Sequence, residues 1–352
     1  MWGKDFAIDL GTSKIAIFAK GEGVILTEPA VITVDADGTV LSAGSDAQRM
    51  LGKTPGGITA AQPLADGVIS DFTLTEKMLS YFLKKAVRKS LIKPRMLICV
   101  PTHASSIEKK AVLDAGFSAG AREVLLIDEP IAAAIGAGLS IDRPKGHMVI
   151  DIGGGTCDIA IISLGQMVTG TSVKAGGRVF DSAISLFLRR HYNLIVGDAT
   201  AELVKFTLGS VYPLETEIQM TVKGRSSVTG YPETAVISSV EIRRALEESV
   251  SMIIDAVKFV FEKTPPELIG DVLTNGMLLT GGGSMLRGMA ERLEQETGAK
   301  IIIPENPREC VILGSGKALK RLNLVKDLEI NRKSKKRTDF EEESSDEVRR
   351  CL

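Results

Sequence analysis

Apolar residues along the chain switch between a period of two and a period near three and a half, and the switches mark its elements. Phe6 to Ile17 reads FAIDLGTSKIAI and Val149 to Ile162 reads VIDIGGGTCDIAII. In each, an apolar run ends at an Asp, passes a Gly/Thr turn and resumes as a second apolar run, which predicts one β-hairpin written twice. Gly23 to Val34 continues as strands, Asp35-Ala36-Asp37-Gly38 is a turn signal, and Thr39 to Ala43 is strand again. Residues 44 to 70, rich in Gly, Pro and Ala, predict a small irregular insertion outside the main sheet. Helical spacing takes over at Met78, Leu79, Phe82, Leu83, Ala86 and Val87, behind a capping box at Thr73-Leu74-Thr75-Glu76.

Met96 to Val100 and Val124 to Ile127 read as strands, separated by a helix from Ser106 to Ala119 and followed by an Ala-rich helix from Glu129 to Leu139. Past the second hairpin, Ala175-Gly176-Gly177-Arg178-Val179-Phe180-Asp181 opens a helix running to about Tyr192, and Thr200 to Thr207 is another. Residues 211 to 237 read as a polar hairpin region, with turn signals at Lys223-Gly224-Arg225 and Thr229-Gly230-Tyr231-Pro232. Ser238-Ser239-Val240-Glu241 is a capping box for the longest amphipathic helix, whose apolar face is Ile242, Leu246, Val250, Ile253, Val257 and Val260. Met277 to Thr280 is a buried-type strand entering Gly281-Gly282-Gly283-Ser284, with a helix from Met285 to Glu296 directly after.

The turns carry the candidate chemistry. Backbone N–H groups of Gly11 and Thr12, and of Gly153, Gly154, Gly155 and Thr156, suit the cradling of an anion. Asp9 and Asp151 would sit beside any bound phosphate, where a carboxylate is repelled unless a cation such as magnesium lies between. A single Gly-Thr turn is ordinarily structural; two matched copies imply two pseudo-symmetric halves facing one nucleotide across a cleft. Strand, glycine turn and helix at 277–296 make a third anion or nucleotide contact. Glu129 has two readings, a helix-dipole partner beside Asp128 and Pro130 or a cleft residue that orients water. Leu91 and Ile92 project from the basic loop Arg88-Lys89-Ser90-Leu91-Ile92-Lys93-Pro94-Arg95. Spacing favours a fold-back capping contact there over insertion into an anionic bilayer surface.

Composition narrows the class. A chain of 352 residues, 44% apolar and 25% charged, can bury a large core in roughly two domains. Its net charge of -1 gives no general attraction for nucleic acid or anionic lipid. Cys99, Cys157, Cys310 and Cys351 are too scattered for a CxxC site or a disulfide framework, so a reduced cytoplasm is expected. His103, His147 and His191 lie far apart with no HExxH pattern, which argues against zinc. No run reaches the length of a spanning helix, and no secretory signal is expected in MWGKDFAIDLG, where Trp2 is the sole Trp. From Asn331 a basic cluster and then Glu341, Glu342 and Glu343 predict a disordered charged tail. No prenylation box ends it, since only Leu352 follows Cys351.

Asp9-Leu10-Gly11-Thr12, Asp151-Ile152-Gly153-Gly154-Gly155-Thr156 and Leu279-Thr280-Gly281-Gly282-Gly283 resemble the two phosphate motifs and the adenosine motif shared by actin, DnaK-type chaperones and sugar kinases. GVILTEPAVITVD, KTPGGI, PLADGVISDF, LICVPT, EPIAAAIGAG, RHYNLIVGDATAE, KTPPEL and LTGGGSMLRG are similar to the bacterial actins of the MreB and Mbl group, over about residues 4 to 322. The resemblance implies an α/β, actin-like two-domain fold of duplicated ribonuclease-H-like halves with a nucleotide cleft between them. Subdomain IA would comprise 1–32, 71–142 and 314–328, IB 33–70, IIA 143–182 and 241–313, and IIB 183–240, with 329–352 the disordered tail.

It further implies a slow ATPase that binds ATP and Mg2+ and forms homopolymer filaments on the inner face of the cytoplasmic membrane. Its further partner would be the cell-wall elongation machinery rather than nucleic acid, and its role rod cell shape. Asp9 and Asp151 would hold the metal, and Gly11, Thr12, Ser13, Lys14, Gly153, Gly154 and Gly155 the phosphates. Glu129 would position water with Thr156, Glu202 and Lys205 would bind the nucleoside, and Gly281, Gly282, Gly283 and Ser284 the adenosine. Leu91 and Ile92 fall where the family carries a membrane-inserting loop, which reverses the preference for the capping contact, and Trp2 joins them. Departures from the family are Lys14 for a small polar residue, Asp128 for a Glu, Gly177 for an Asp, and the tail after residue 329. They bear on hydrolysis more than on binding. A DnaK-type chaperone lacks room here for its substrate-binding domain, and a sugar kinase would need a sugar pocket with no candidate. An ATP-binding scaffold without turnover is the principal alternative.

Overall fold

Strands that are apolar on both faces need cover on both sides, and Asp5–Leu10 and Cys157–Ser163, buried at every position, find it between layers of helices. The computed structural model describes residues 5–86 and 93–321. In the first half β1 (Asp5–Leu10), β2 (Lys14–Ala19) and β3 (Gly23–Pro29) form an antiparallel meander. A small lobe follows, with β4 (Ile32–Asp35) between β5 (Val40–Ala43) and β6 (Ile58–Ala61) and helix α1 (Ser45–Met50) beside them. β7 (Leu64–Ala65) and β8 (Val68–Ile69) make a two-stranded clip. After α2 (Phe72–Ala86), β9 (Arg95–Val100) lies parallel to β1. α3 (Ser106–Ser118) leads to β10 (Glu123–Asp128), parallel to β9, and α4 (Glu129–Gly136) closes the half.

The second half repeats the plan. β11 (His147–Ile152), β12 (Cys157–Ser163) and β13 (Gln166–Val173) are the meander. Its lobe is α5 (Gly177–Tyr192), β14 (Leu194–Ile195), α6 (Asp198–Leu208), β15 (Gln219–Ser226) and β16 (Pro232–Ser238). α7 (Ser239–Glu262) and α8 (Pro266–Asn275) precede β17 (Met277–Thr280), parallel to β11. α9 (Met289–Thr297) and β18 (Ile301–Ile302) complete it, and α10 (Cys310–Ala318) returns to pack on β1 and β2 of the first half. The sheets, β10-β9-β1-β2-β3 and β13-β12-β11-β17-β18, are one topology read from opposite ends, with a lobe inserted after the third strand of each.

Alternation along the strands divides the core into three. Phe6, Ile8 and Leu10 face outward onto Met78, Leu79 and Phe82 of α2. Met148, Ile150 and Ile152 likewise face Phe180 of α5 and Ile253 and Val257 of α7. The intervening residues, Ala7, Ala16, Val149 and Ala160, face an inner layer shared by both sheets and built from α4 and α10. Those two helices touch backbone to backbone: a Cβ on Gly314 would lie 1.7 Å from the Ala132 carbonyl oxygen, and one on Gly136 1.9 Å from that of Cys310. The Ala-rich composition of α4 thus serves close packing.

Several local expectations change. Residues 44–70 are more regular than their composition suggests, contributing α1 and the strand β6 to the lobe sheet. The cap of α2 is Asp71, whose carboxylate accepts the Leu74 N–H at 2.9 Å, so Thr73 lies inside the helix and Thr75 turns its hydroxyl back to the Asp71 carbonyl. A capping box does form at Ser105 and Glu108, ahead of α3. The α4 helix stops at Gly136, short of Leu139. Lys223-Gly224-Arg225 is strand rather than turn, because β14 packs there and Leu194 and Ile195 occupy the space of a side chain at 224. The helix expected at Met285 is a 3-10 turn over Gly282–Met285, and α9 begins only at Met289, after Gly288 takes a φ of 80°. The charged tail lies outside the described residues.

Gly314→Ala is expected to overpack the α4/α10 crossing and destabilise the protein by about 1–3 kcal/mol or more. Gly270→Ala, in open space within α8, should stabilise it by about 0.5–1 kcal/mol. Urea denaturation of both variants checks this; equal stability for Gly314→Ala and the parent chain would refute the close crossing.

Candidate functional site

Strand parity delivers the acidic residues to one place. Asp9 shares the inner face of β1 with Ala7, and Asp151 that of β11 with Val149, so the two carboxylates stand at corresponding strand ends on opposed faces. Asp158 shares the inner face of β12 with Ala160, and Glu129 opens α4 between the sheets. Asp9, Asp151 and Asp158 are buried. Glu129 lies deep among protein atoms yet keeps some accessible surface, as a group on the floor of a cleft does.

The turns beside these carboxylates meet. A Cβ on Gly154 would strike Ser13 Oγ at 2.0 Å, and one on Gly155 would lie 2.6 Å from Thr12 Oγ1, so only glycine lets the second turn approach the first. Thr12 and Thr156 are both buried at this junction. Thr12 Oγ1 accepts the Gly67 N–H of the β7–β8 clip at 2.7 Å. The second turn is braced from behind by α5, whose Gly177 and Arg178 N–H groups donate to the Gly153 and Gly154 carbonyls at 3.0 and 2.8 Å. The first turn ends at Lys14, whose amine donates to the Arg308 carbonyl in the other half.

The third glycine turn packs on the end of β11, where a Cβ on Gly281 would lie 2.3 Å from the Ile152 carbonyl oxygen. Ser284 donates its hydroxyl to the Gly281 carbonyl at 2.7 Å, while Gly282 is exposed and Gly283 buried. Lys205 of α6 donates to the Gly177 carbonyl at 3.0 Å and to Asp181 at 2.9 Å. Asp181, one turn along α5, therefore supplies Lys205 with a carboxylate near the position where Gly177 has none. Glu202 is close enough to raise the Asp181 pKa, although burial is the larger cause. Trp2, Leu91 and Ile92 lie outside the described residues.

The acidic side chains of the floor are all raised above their ordinary pKa range. Burial pushes the Asp9 carboxyl above its usual range, with Lys14 pulling it partly back. Burial also lifts Asp151 to about 7, helped by Asp158 and Asp9 and opposed by Lys14 and by the Thr280 hydroxyl, which donates to Asp151 Oδ1 at 2.6 Å. Glu129 is raised well above the carboxylate range by burial first, then by Asp158, Asp9, Asp151 and Asp128. Asp158 is raised by burial although the Thr102 N–H donates to it at 2.7 Å. Among the described residues no three such side chains are close enough for a cage made by protein alone. Two opposed carboxylates fit an ion such as magnesium, which keeps waters and takes phosphate oxygens as its other ligands. Asp158, Asp181 and Thr280 were not singled out in the sequence; for Asp158 the signal was its shared parity with Ala160.

Comparison with known proteins shows the family and the fold. Residues 3–327 match the family model for MreB/Mbl protein. The cell shape-determining protein Mbl of Bacillus subtilis strain 168 is 45% identical over 325 residues, 92% of this chain and 98% of that one. The cell shape-determining protein MreB of Escherichia coli strain K12 is 44% identical over 331 residues, 92% and 95% of the two chains. The crystal structure of Spiroplasma citri MreB5 bound to ADP superposes with a TM-score of 0.86 at 35% identity, covering 93% of this chain and 99% of that one. The same protein bound to AMPPNP gives 0.86 at 34%. The fold is accordingly α/β and actin-like, with duplicated halves.

Because Asp151 holds its proton to about pH 7 when folded but only to 3.8 when unfolded, the ligand-free protein should lose stability as pH rises between those values. The cost is complete above about pH 7 and on the order of 4 kcal/mol there. Asp151→Asn, which keeps an acceptor for Thr280, should raise the ligand-free melting midpoint more at pH 8 than at pH 5. A gain independent of pH would contradict the shift.

Proposed function

The chain belongs to the MreB/Mbl family, and from that premise we propose that it is a membrane-peripheral, actin-like cytoskeletal ATPase. It binds ATP and Mg2+ between its halves, polymerises with copies of itself, and directs cell-wall synthesis to maintain rod shape. The observation that carries this reading is the direct apposition of two glycine turns, one from each half, over Asp9 and Asp151. The relatives named as cell shape-determining proteins, and the solved MreB5 with ADP or AMPPNP, support the biological and nucleotide parts.

In this proposal Asp9 and Asp151 hold magnesium. Gly11, Thr12, Ser13, Lys14, Gly153, Gly154 and Gly155 offer donors to the phosphates, and Glu202, Lys205 and Gly281 to Ser284 take the nucleoside. Glu129 and Thr156 orient the attacking water, a contribution made in the transition state rather than in binding. Lys14 occupies the Arg308 carbonyl and Gly177 leaves Lys205 to Asp181, so a scaffold with little turnover is the alternative. We assign 1–32, 71–142 and 314–328 to subdomain IA, 33–70 to IB, 143–182 and 241–313 to IIA, and 183–240 to IIB. Leu91, Ile92 and Trp2 are assigned to the membrane contact on the family resemblance alone. Among the described residues no helix is long and apolar enough to cross a membrane.

Asp151→Ala should abolish magnesium-dependent ATP affinity in a direct binding assay, and wild-type affinity would refute the cleft reading. Glu129→Ala should bind ATP normally but release phosphate at least about 100-fold more slowly, the scale of one positioned catalytic group. Phosphate release at the parental rate would reduce Glu129 to a helix-dipole partner.

Full burial of each apolar anchor contributes roughly 1.5–3 kcal/mol, so a monomer should bind lipid weakly and a filament, repeating the loop, strongly. Liposome co-sedimentation of the Leu91→Ser, Ile92→Ser double variant checks this. If it polymerises and pellets with anionic lipid as well as the parent chain does, the loop is not the anchor.

A further inference from the structure

Arg178 holds both halves of the molecule at once. Its backbone N–H donates to the Gly154 carbonyl of the second glycine turn at 2.8 Å. Its guanidinium crosses the cleft, Nη2 donating to the Thr12 carbonyl at 2.6 Å and Nη1 to the Leu64 carbonyl at 3.2 Å. The first acceptor belongs to the first glycine turn and the second to the β7–β8 clip. The charge is half-buried and loses solvation, with Asp66, Asp198 and Asp181 compensating only from a distance. A guanidinium kept in such a place spends planar, fixed donors on backbone positions, which locates it more firmly than an ammonium would.

The clip that Arg178 grips lies over the seam between the halves. Its Asp66 takes the left-handed conformation at φ 50°, and a Cβ on Gly155 would come within 3.0 Å of Asp66 Cα. Its Gly67 N–H is held by Thr12 Oγ1 at 2.7 Å. Lys174 also spans the seam, 2.8 Å from Asp66, but its side chain is 74% exposed, so that pair contributes little. Arg178 is the sheltered fastening.

We propose that Arg178 is a positioning residue that latches the cleft, fastening the second glycine turn to the first and to the clip at 64–69, and thereby sets how fast the clip opens and how fast nucleotide leaves. The second half of this rests on the nucleotide reading above; the first does not.

Hydrogen exchange of amides within 63–70, measured on the nucleotide-free full chain, tests the latch. Arg178→Ala and Arg178→Gln should raise exchange there by about tenfold or more, the scale of losing hydrogen bonds from a charged donor. Arg178→Lys should recover part of the protection, since one ammonium can still hold one carbonyl. Lys174→Ala should stay within about twofold of the parent. Exchange within α7 should be the same in all five proteins. Release of a fluorescent ATP analogue should accelerate in the same order as clip exchange. Unchanged exchange at 63–70 in Arg178→Gln, or an equal rise in α7, would overturn the latch; if Arg178→Ala does not fold, the Gln and Lys variants decide. A parent chain that binds no ATP would sink the nucleotide reading while leaving the exchange result to judge the latch.

Discussion

The contact on which the rest depends is between two backbones. Where α4 and α10 cross, Gly136 and Gly314 leave no side chain between the helices, and both sheets close onto that crossing with Ala7, Ala16, Val149 and Ala160. Small residues set the separation of the two inner faces, and that separation sets how far Asp9 stands from Asp151. Bulk added here would widen the layer and part the carboxylates, however well each half folded by itself.

Close approach has an electrostatic cost. Asp9, Asp151, Asp158 and Glu129 share one poorly solvated floor, each raised above the ordinary carboxylate range by burial, with Lys14 as the offsetting cation for Asp9 and Asp151. Polar contacts temper it only locally, through Thr280 on Asp151 and the Thr102 N–H on Asp158. Such an arrangement is marginal alone and is relieved by positive charge, the usual signature of a functional site rather than of a stabilising one.

Much of the fold was legible because its signals are local. Period-two runs ending in Asp9 and Asp151 located both hairpins, and Ser238 with Glu241 marked the start of α7, where the capping box forms. Residues whose partners lie far along the chain were not legible. Asp71 displaced the capping box expected at Thr73, and the β14 contact kept Gly224 in a strand, because in both places tertiary packing outweighed local turn chemistry. Asp181 answers Lys205 from 24 positions away, and Leu64 meets Arg178 from 114 away. No periodicity encodes such meetings. Asp158 was different, since its parity with Ala160 placed it on the inner face, but an acid inside an apolar run invites the reading of an ordinary strand.

The position of Asp151, near the midpoint of its titration at neutral pH, gives the cleft a second kind of traffic. A carboxyl that keeps its proton while the floor is uncompensated must surrender it when a divalent cation arrives, because metal ligands are deprotonated. If magnesium binds as proposed, occupancy of the cleft is an exchange, cation inward and proton outward, and its equilibrium constant carries the hydrogen-ion concentration as a factor. On the proposed reading, acidification of the surroundings would act as a competitor of the metal at Asp151.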